Sequence, residues 1–488
     1  MSIVSKDRLK KLIEPHFHAS LQKEEYEVAS KRAIELLTHT RFDIAFKLFY
    51  LDMKDKNEKL ANKIYLEHIR AFSLGKFNEP GNNDKIGKEK FIEEFNRTFK
   101  SIKENGFDIS KTLIPLSKNG AIANGAHRVA SAIFLDQNID CAKIETRDQI
   151  YDYNFFYGRG VPAYILDMVA TKFIEYANNV HIAFIWPIGV NKNEEVTKLI
   201  PNIVYKKTIK LTSNGAHNLL SQIYYAEAWL GNRENNFSGV NGKLIQCFKT
   251  FDAFDVYAFQ AEKLEDVIRI KENIRNLFNV GKHSIHITDT KEEALRVARL
   301  IFNENSIHFL NYAKPNRFVS TQRNIDRFKA FLEANRIEHQ DALIDSSMIL
   351  SCYGIREAKD IDFLCNDITK IKTKFEEINA HDNELKYYEK EKQDIIYDAR
   401  NYFYYEDIKF VSFDLLYRMK KNRNEAKDRN DCKMMEALIE NNSLKETINR
   451  IKQQVLYLKI KYKRELIQLL QQVGLFEIAR KVYRKILK

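Results

Sequence analysis

Apolar residues recur at helical spacing through the first 75 residues. Ala33, Ile34, Leu36 and Leu37, then Ile44, Ala45, Leu48 and Phe49, then Tyr65, His68, Ile69 and Phe72 fall three and four apart, so the N-terminus is expected to be helical. Glu79-Pro80-Gly81-Asn82-Asn83 reads as a turn, and Phe91, Phe95 and Phe99 mark an amphipathic helix whose aromatic stripe belongs in a core. The period changes after this. Residues 113–116 and 121–123 predict short strands around Lys118-Asn119-Gly120, followed by a helix over 129–135. Between about 178 and 320 strand and helix alternate. Residues 182–186 read as a buried strand and 219–230 as a helix. Residues 283–288 read as a strand entering a helix capped by Asp289 or Thr290 with Glu292 or Glu293 behind it. Further on, a strand near Ile344 runs into a small-residue turn, a short helix and a second strand. Two aromatic, β-branched strands then flank Glu406-Asp407. The tail reads as two amphipathic helices separated at Gly474, with Leu456, Ile460, Leu466 and Leu469 on one stripe.

This pattern predicts a multidomain chain of α/β and α+β class. The expected divisions are a domain over 1–175, an α/β middle domain over 176–320, a mixed-sheet domain over 321–444 and a basic helical tail over 445–488. A length of 488 residues suits about three domains. Seven prolines, 16 glycines and no low-complexity run argue against long disordered linkers. The cysteines at 141, 247, 352, 365 and 432 are scattered, which argues against a zinc site or a disulfide framework and for a reducing cytoplasm. No apolar signal core opens the chain, and no apolar run reaches membrane-span length. The net charge of +12 sits mostly in the tail, where residues 445–488 carry twelve Lys/Arg against three Asp/Glu. The rest is nearly balanced and carries no strong nucleic-acid signal. The tail is expected to dock on the body or to meet an acidic partner or an anionic membrane surface, which allows a peripheral position at the inner membrane.

The densest candidate chemistry lies at Ser346-Ser347 followed by Asp360-Ile361-Asp362. Side chains two apart on a strand share a face, so Asp360 and Asp362 converge on one point. Two carboxylates beside a triphosphate suit magnesium, which prefers oxygen ligands and takes one or two carboxylates from protein. Further on, Lys427-Asp428-x-x-Asp431 fits a helix with both aspartates on one face at i, i+3, and Lys420 and Arg423 precede it. A salt-bridged, solvated helix would give the same pattern.

A small-residue turn, a short helix and Asp-x-Asp resemble the nucleotidyltransferase superfamily, with Ser346-Ser347 standing where Gly-Ser is usual. The resemblance implies Asp360 and Asp362 as catalytic metal ligands, Ser346 and Ser347 at the phosphates, and Lys420, Arg423 and Lys427 at developing charge. It also implies a third carboxylate, for which Asp398, Glu406 and Asp414 are candidates. The implied cofactor is Mg2+ and the implied substrate a nucleoside triphosphate.

A second box lies at Asn124-Gly125-Ala126-His127-Arg128, where a strand and Gly turn open a helix, an anion site in outline. It resembles the ParB/sulfiredoxin fold, whose members include free-serine kinases, with Asn124 in place of the usual acid. The resemblance implies roles for Glu79, His127 and Arg128, with Asn124 and Gly125 at the ligand. Structural hydrogen bonding by His127 and Arg128 is the competing reading. His217, His286 and Asp289 form a weaker candidate cluster. The combination resembles proteins of bacterial capsule and surface-polysaccharide assembly, implying a phosphorylated sugar or glycan acceptor. A nucleic-acid-associated protein of defence or toxin type and a non-catalytic scaffold are the alternatives.

Overall fold

The computed structural model describes residues 2–79, 82–440, 443–476 and 479. The fold is mixed α and β, as the periodicity implies. Strands β1 (Ser2–Ser5), β2 (Glu25–Arg32), β5 (Ile114–Leu116) and β6 (Asn138–Lys143) form a sheet in the order β1-β2-β6-β5, beside a hairpin of β3 (Asn78–Glu79) and β4 (Asn82–Ile86). β2 corrects the all-helical expectation for the N-terminus. Along it Tyr26 and Val28 are buried while Glu25 and Glu27 are exposed, a period of two that seats the strand on a core with Leu9 and Leu113. The run from Ala33 makes only a 3-10 turn, Ala33–Leu36. The helices Asp43–Met53, Glu58–Ser73 and Lys88–Asn105 follow the periodicity, and Phe91, Phe95 and Phe99 are buried. Residues 121–123 form no strand, only an isolated bridge between Leu116 and Ile122.

β7 (Val180–Ile185), β8 (Ile203–Ile209), β9 (Phe254–Gln260) and β10 (Ile285–Ile287) form a second sheet in the order β10-β7-β9-β8. Every neighbouring pair is antiparallel. Helices Asn193–Leu199 and Leu264–Phe278 follow its first and third strands, giving the split β-α-β arrangement. Every residue of β9 is buried, as a central strand covered on both faces requires. The helix expected over 219–230 runs instead over Ser213–Ile223, because the Thr212 side chain caps Gly215 N–H and starts it early. Thr290 caps the helix Lys291–Ile301 by accepting from Glu293 N–H, as anticipated.

The third sheet contains β11 (Ala342–Asp345), β12 (Ile361–Cys365), β13 (Ile378–Ala380), β14 (Tyr402–Tyr405) and β15 (Ile408–Val411), in the order β13-β12-β11-β15-β14. β12 and β13 are parallel. By compactness the chain forms two units. One comprises 1–311, 338–343 and 393–410. The other comprises 312–337, 344–392 and 411–488. Within the first unit, Gln260 at the end of β9 accepts from His39 N–H at 2.6 Å and donates to Leu37 O at 2.9 Å. The tail begins with the helix Ser443–Gln472 and breaks at Gly474, whose φ of 71° is the left-handed conformation that commonly ends a helix. The second tail helix and most of its apolar stripe lie outside the described residues. No helix among the described residues is long and apolar enough to cross a membrane.

Candidate functional site

Strand β11 is fully buried and ends in an acid, Asp345. The chain then reverses at Ser346, with φ 61° and ψ −125°. That is the first central conformation of a type II′ turn, which glycine adopts without cost and other residues rarely adopt. The place where a glycine is usual in the resembling superfamily is therefore a place that needs positive φ, and serine is held in it. Ser347 begins the short helix Ser347–Cys352, whose side chains are buried throughout. The chain returns along β12 with Asp360 just before it and Asp362 within it.

The turn and the Asp-x-Asp pair meet. Ser347 Oγ donates to Asp360 Oδ1 at 3.4 Å. Burial raises the Asp362 carboxyl above the usual carboxylate range. His381 opposes that shift, Asp360 and Asp345 add to it, and a hydrogen bond from Ser346 opposes it again. The third acid at this point is thus Asp345. The three acids anticipated for the part are held elsewhere by arginines: Asp398 by Arg400, Glu406 by Arg233 and Asp414 by Arg418.

Asp345 is saturated. Its Oδ1 accepts from Ser346 N–H at 2.5 Å and from the Tyr388 hydroxyl, and its Oδ2 faces His381 Nδ1 at 2.7 Å. Burial lowers the His381 pKa, but the hydrogen bond and charge of Asp345, with Asp362 and Glu384 behind, more than offset it and hold His381 above its usual value. Asp345 fixes one ring nitrogen, and no described residue hydrogen-bonds the other. Neither Asp345, His381 nor Tyr388 was assigned a role from sequence. The one available signal was an acid closing an apolar strand immediately before the turn.

The basic residues expected at the phosphates are held in ion pairs with acids of the same unit. Lys420 is 1% exposed and bridges Asp428 at 3.2 Å and Asp431 at 2.9 Å. Arg423 binds Asp428 with two nitrogens and reaches Glu384 at 3.2 Å, while Arg356 grips Asp431 through two bonds. Both aspartates share one face of the helix Ala426–Ile439, as the i, i+3 spacing requires, and that face is a buried ion network. Burial raises the Asp428 and Asp431 carboxyls, but the surrounding cations more than offset it and hold both below the usual range. Lys420 and Arg423 are therefore committed to ion pairs, and Lys427 lies on the outside against Glu425 at 3.2 Å.

The first unit carries the other box. Gly125 has φ 93°, and its N–H donates to Asn124 Oδ1 at 2.6 Å, opening the helix Ala126–Phe134. A Cβ there would meet Ile114 Cδ1 at 2.7 Å and Arg128 Nη2 at 2.8 Å, so the ends of those two side chains would have to shift, and the positive φ itself favours glycine. Arg128 is spent on Glu14 at 2.6 Å, on the Thr112 hydroxyl and on Leu113 O, and is not presented to a ligand. His127 packs against Phe95 at 4.7 Å and sits 2.8 Å from the Tyr65 hydroxyl. Burial, then Lys47 and Lys85, push it well below its usual pKa, so it is a neutral imidazole. The side chain of Glu79 lies outside the described residues.

Near this box is a buried ionic cluster that sequence reasoning missed. Arg41 clamps Asp43 through bonds of 2.8 and 3.0 Å and donates to Ile122 O. Lys47 lies 3.1 Å from Asp43 and 3.0 Å from His68 Nε2. Burial brings the Lys47 pKa down to about 8 even though Asp43 opposes that shift. His68 had been assigned only to an apolar stripe, where a histidine gives no ionic signal. Glu293 serves both His286 and Asp289, accepting from the Asp289 N–H at 2.8 Å, while His217 has other partners. His286 meets Tyr224 at 3.2 Å and Glu293 at 3.4 Å, Asp289 pairs with Lys271, and His217 interacts with Asn236 and Asn218.

Comparison with family models, with curated proteins and with solved structures finds no match for this chain.

Proposed function

We propose that the second unit is the nucleotide site of a magnesium-dependent nucleotidyl- or phosphotransferase acting on a nucleoside triphosphate. The observation that carries this reading is the positive-φ turn at Ser346, which places Ser347, Asp360 and Asp362 together in front of Asp345. The donor set fits the ion. Among the described residues no group of three or more His, Cys, Asp or Glu side chains is disposed to hold a metal. With Asp345 saturated, two hard carboxylates remain, which is what magnesium takes when phosphate and water oxygens complete its shell. Burial is the main cause that raises Asp362, with Asp360 and Asp345 adding to it, and a cation bound there would oppose all three.

Asp360 and Asp362 would hold the ion, which when bound neutralises phosphate charge and polarises a phosphoryl oxygen. The chain's own residues position. Ser347 fixes the rotamer of Asp360, and Ser346 aligns the backbone between Asp345 and the helix. The Asp345–Tyr388 pair fixes His381 beside Asp362. With Lys420 and Arg423 tied to acids, His381, held by Asp345 and opposing the upward shift of Asp362, takes the charge-steadying part expected of them. The acceptor class, a phosphorylated sugar or glycan, follows from the sequence resemblance, and the cytoplasmic or membrane-peripheral setting from the scattered cysteines and the basic tail.

The test is isothermal titration of ATP and CTP with magnesium into the wild type and an Asp360→Ala, Asp362→Ala double variant. Magnesium-dependent binding that the variant loses supports the reading. Binding that survives moves the chemistry to the Asn124–Arg128 box, and no binding in the wild type overturns the assignment.

A further inference from the structure

The Ser443–Gln472 helix is 30 residues long, about 45 Å at 1.5 Å per residue. Leu444, Ile448, Ile451, Val455, Leu458 and Tyr462 stand along it in alternating steps of four and three, and each is between 44% and 71% exposed. The row continues in similar steps to Val473, with one extra step of four after Tyr462. Scattered exposed apolar residues are ordinary, but a continuous row over eight turns is not.

The spacing identifies what covers it. Steps of four and three give a mean period of 3.5, the seam of a coiled coil, and keep these exposed residues on one stripe. In heptad terms Ile448, Val455 and Tyr462 occupy one seam position, with Leu444, Ile451 and Leu458 at the other. β-branched residues at two of the three first positions and mainly leucine at the second favour two parallel strands. The charges agree. Thr447 falls where a parallel copy would bring Lys452, an uncharged residue against a lysine. An antiparallel copy would set Lys452 and Lys459 against their own kind, which is repulsive. Nine half-exposed side chains on each helix would bury roughly 1,500 Å2 in total, the size of a stable interface.

We propose that this helix pairs in parallel with the same helix of a second copy of the chain, so that the protein is a coiled-coil dimer through its tail. The test is sedimentation equilibrium on the full-length chain, wild type against an Ile451→Asp, Leu458→Asp variant. Both positions are exposed, so circular dichroism should show the variant folded. The wild type should dimerise in the micromolar range or tighter, and the variant should weaken association at least 100-fold. Orientation is read with Leu444→Cys. All five native cysteines are buried, so the new thiol is the exposed one, and a parallel pair should oxidise to an inter-chain disulfide. A wild type that stays monomeric at 100 µM overturns the proposal, whether or not it binds vesicles of anionic lipid. A dimer indifferent to the aspartates, or one that gives no Leu444→Cys cross-link, overturns it as well.

Discussion

Replacing Lys420 by methionine separates a structural ion from a ligand for phosphate. Methionine keeps the length and apolar stem of lysine and removes the charge. In the structure the ammonium sits 3.2 Å from Asp428 and 2.9 Å from Asp431, and neither acid has any exposed side-chain surface. At an effective dielectric of about 20, each contact is worth about 5 kcal/mol of gross Coulomb energy. Desolvating the ammonium offsets several kcal/mol of that. Arg423 still holds Asp428 and Arg356 still holds Asp431, so neither carboxylate is fully orphaned. The net loss should be about 3–5 kcal/mol, the range for breaking a buried pair from one side. Urea unfolding followed by far-UV circular dichroism should show it as a fall in midpoint of roughly 1–2 M. Lys427→Met is the control. Its exposed pair with Glu425 should leave stability within about 0.5 kcal/mol. If Lys420→Met keeps wild-type stability and instead abolishes magnesium–ATP binding, the lysine leaves its ion pairs for phosphate, and the structural argument is refuted.

Other consequences concern single side chains. His381 has a raised pKa in the folded state, so its link to Asp345 should stabilise fully below the unfolded value near 6.5 and fade as pH rises through the folded value. The stability gap between wild type and His381→Gln should be wide at pH 6 and narrow at pH 9, and a gap that widens with pH would contradict this. Gly125→Ala should cost about 2–3 kcal/mol, because the positive φ and the short approaches to Ile114 and Arg128 act together; thermal unfolding measures it, and a neutral result would mean the turn relaxes. Ser346→Gly should relieve about 1–3 kcal/mol of backbone strain against about 0.5–1 kcal/mol of added chain entropy, a net gain near 1 kcal/mol. Ser346→Val should destabilise, and equal stability of the two variants would show that the strain is absent.

Much of the architecture was legible because local pattern and burial agreed. The helix at Phe91, Phe95 and Phe99, the break at Gly474 and the paired faces of Asp428 and Asp431 follow from period alone. The first strands were hidden because β2 has only two buried residues, too short a stretch of alternation to compete with helical spacing on either side. Long-range partners were hidden for a different reason. Nothing near Lys420 in sequence indicates that Arg356 lies on the far side of Asp431, and nothing near Arg128 indicates Glu14. A basic residue in a conserved-looking spacing reads as a ligand grip until its partner, 114 residues away, is seen to occupy it.

At the proposed site three local rules are broken within about 20 residues, and the breaks depend on one another. Serine occupies a glycine conformation, an acid ends a fully buried strand, and two like charges sit two residues apart. Each alone would be a defect. Together they are consistent: the Asp345 carboxylate accepts the Ser346 N–H that the turn exposes, and the same carboxylate fixes His381, which opposes the upward shift that burial imposes on Asp362. A fold that needed only stability would remove the conflict by placing glycine at 346 and an amide at 345. Retaining it leaves two carboxylates close enough to act on each other, one of them raised by burial. That arrangement is costly for a scaffold and useful for a site that receives a cation with its phosphate.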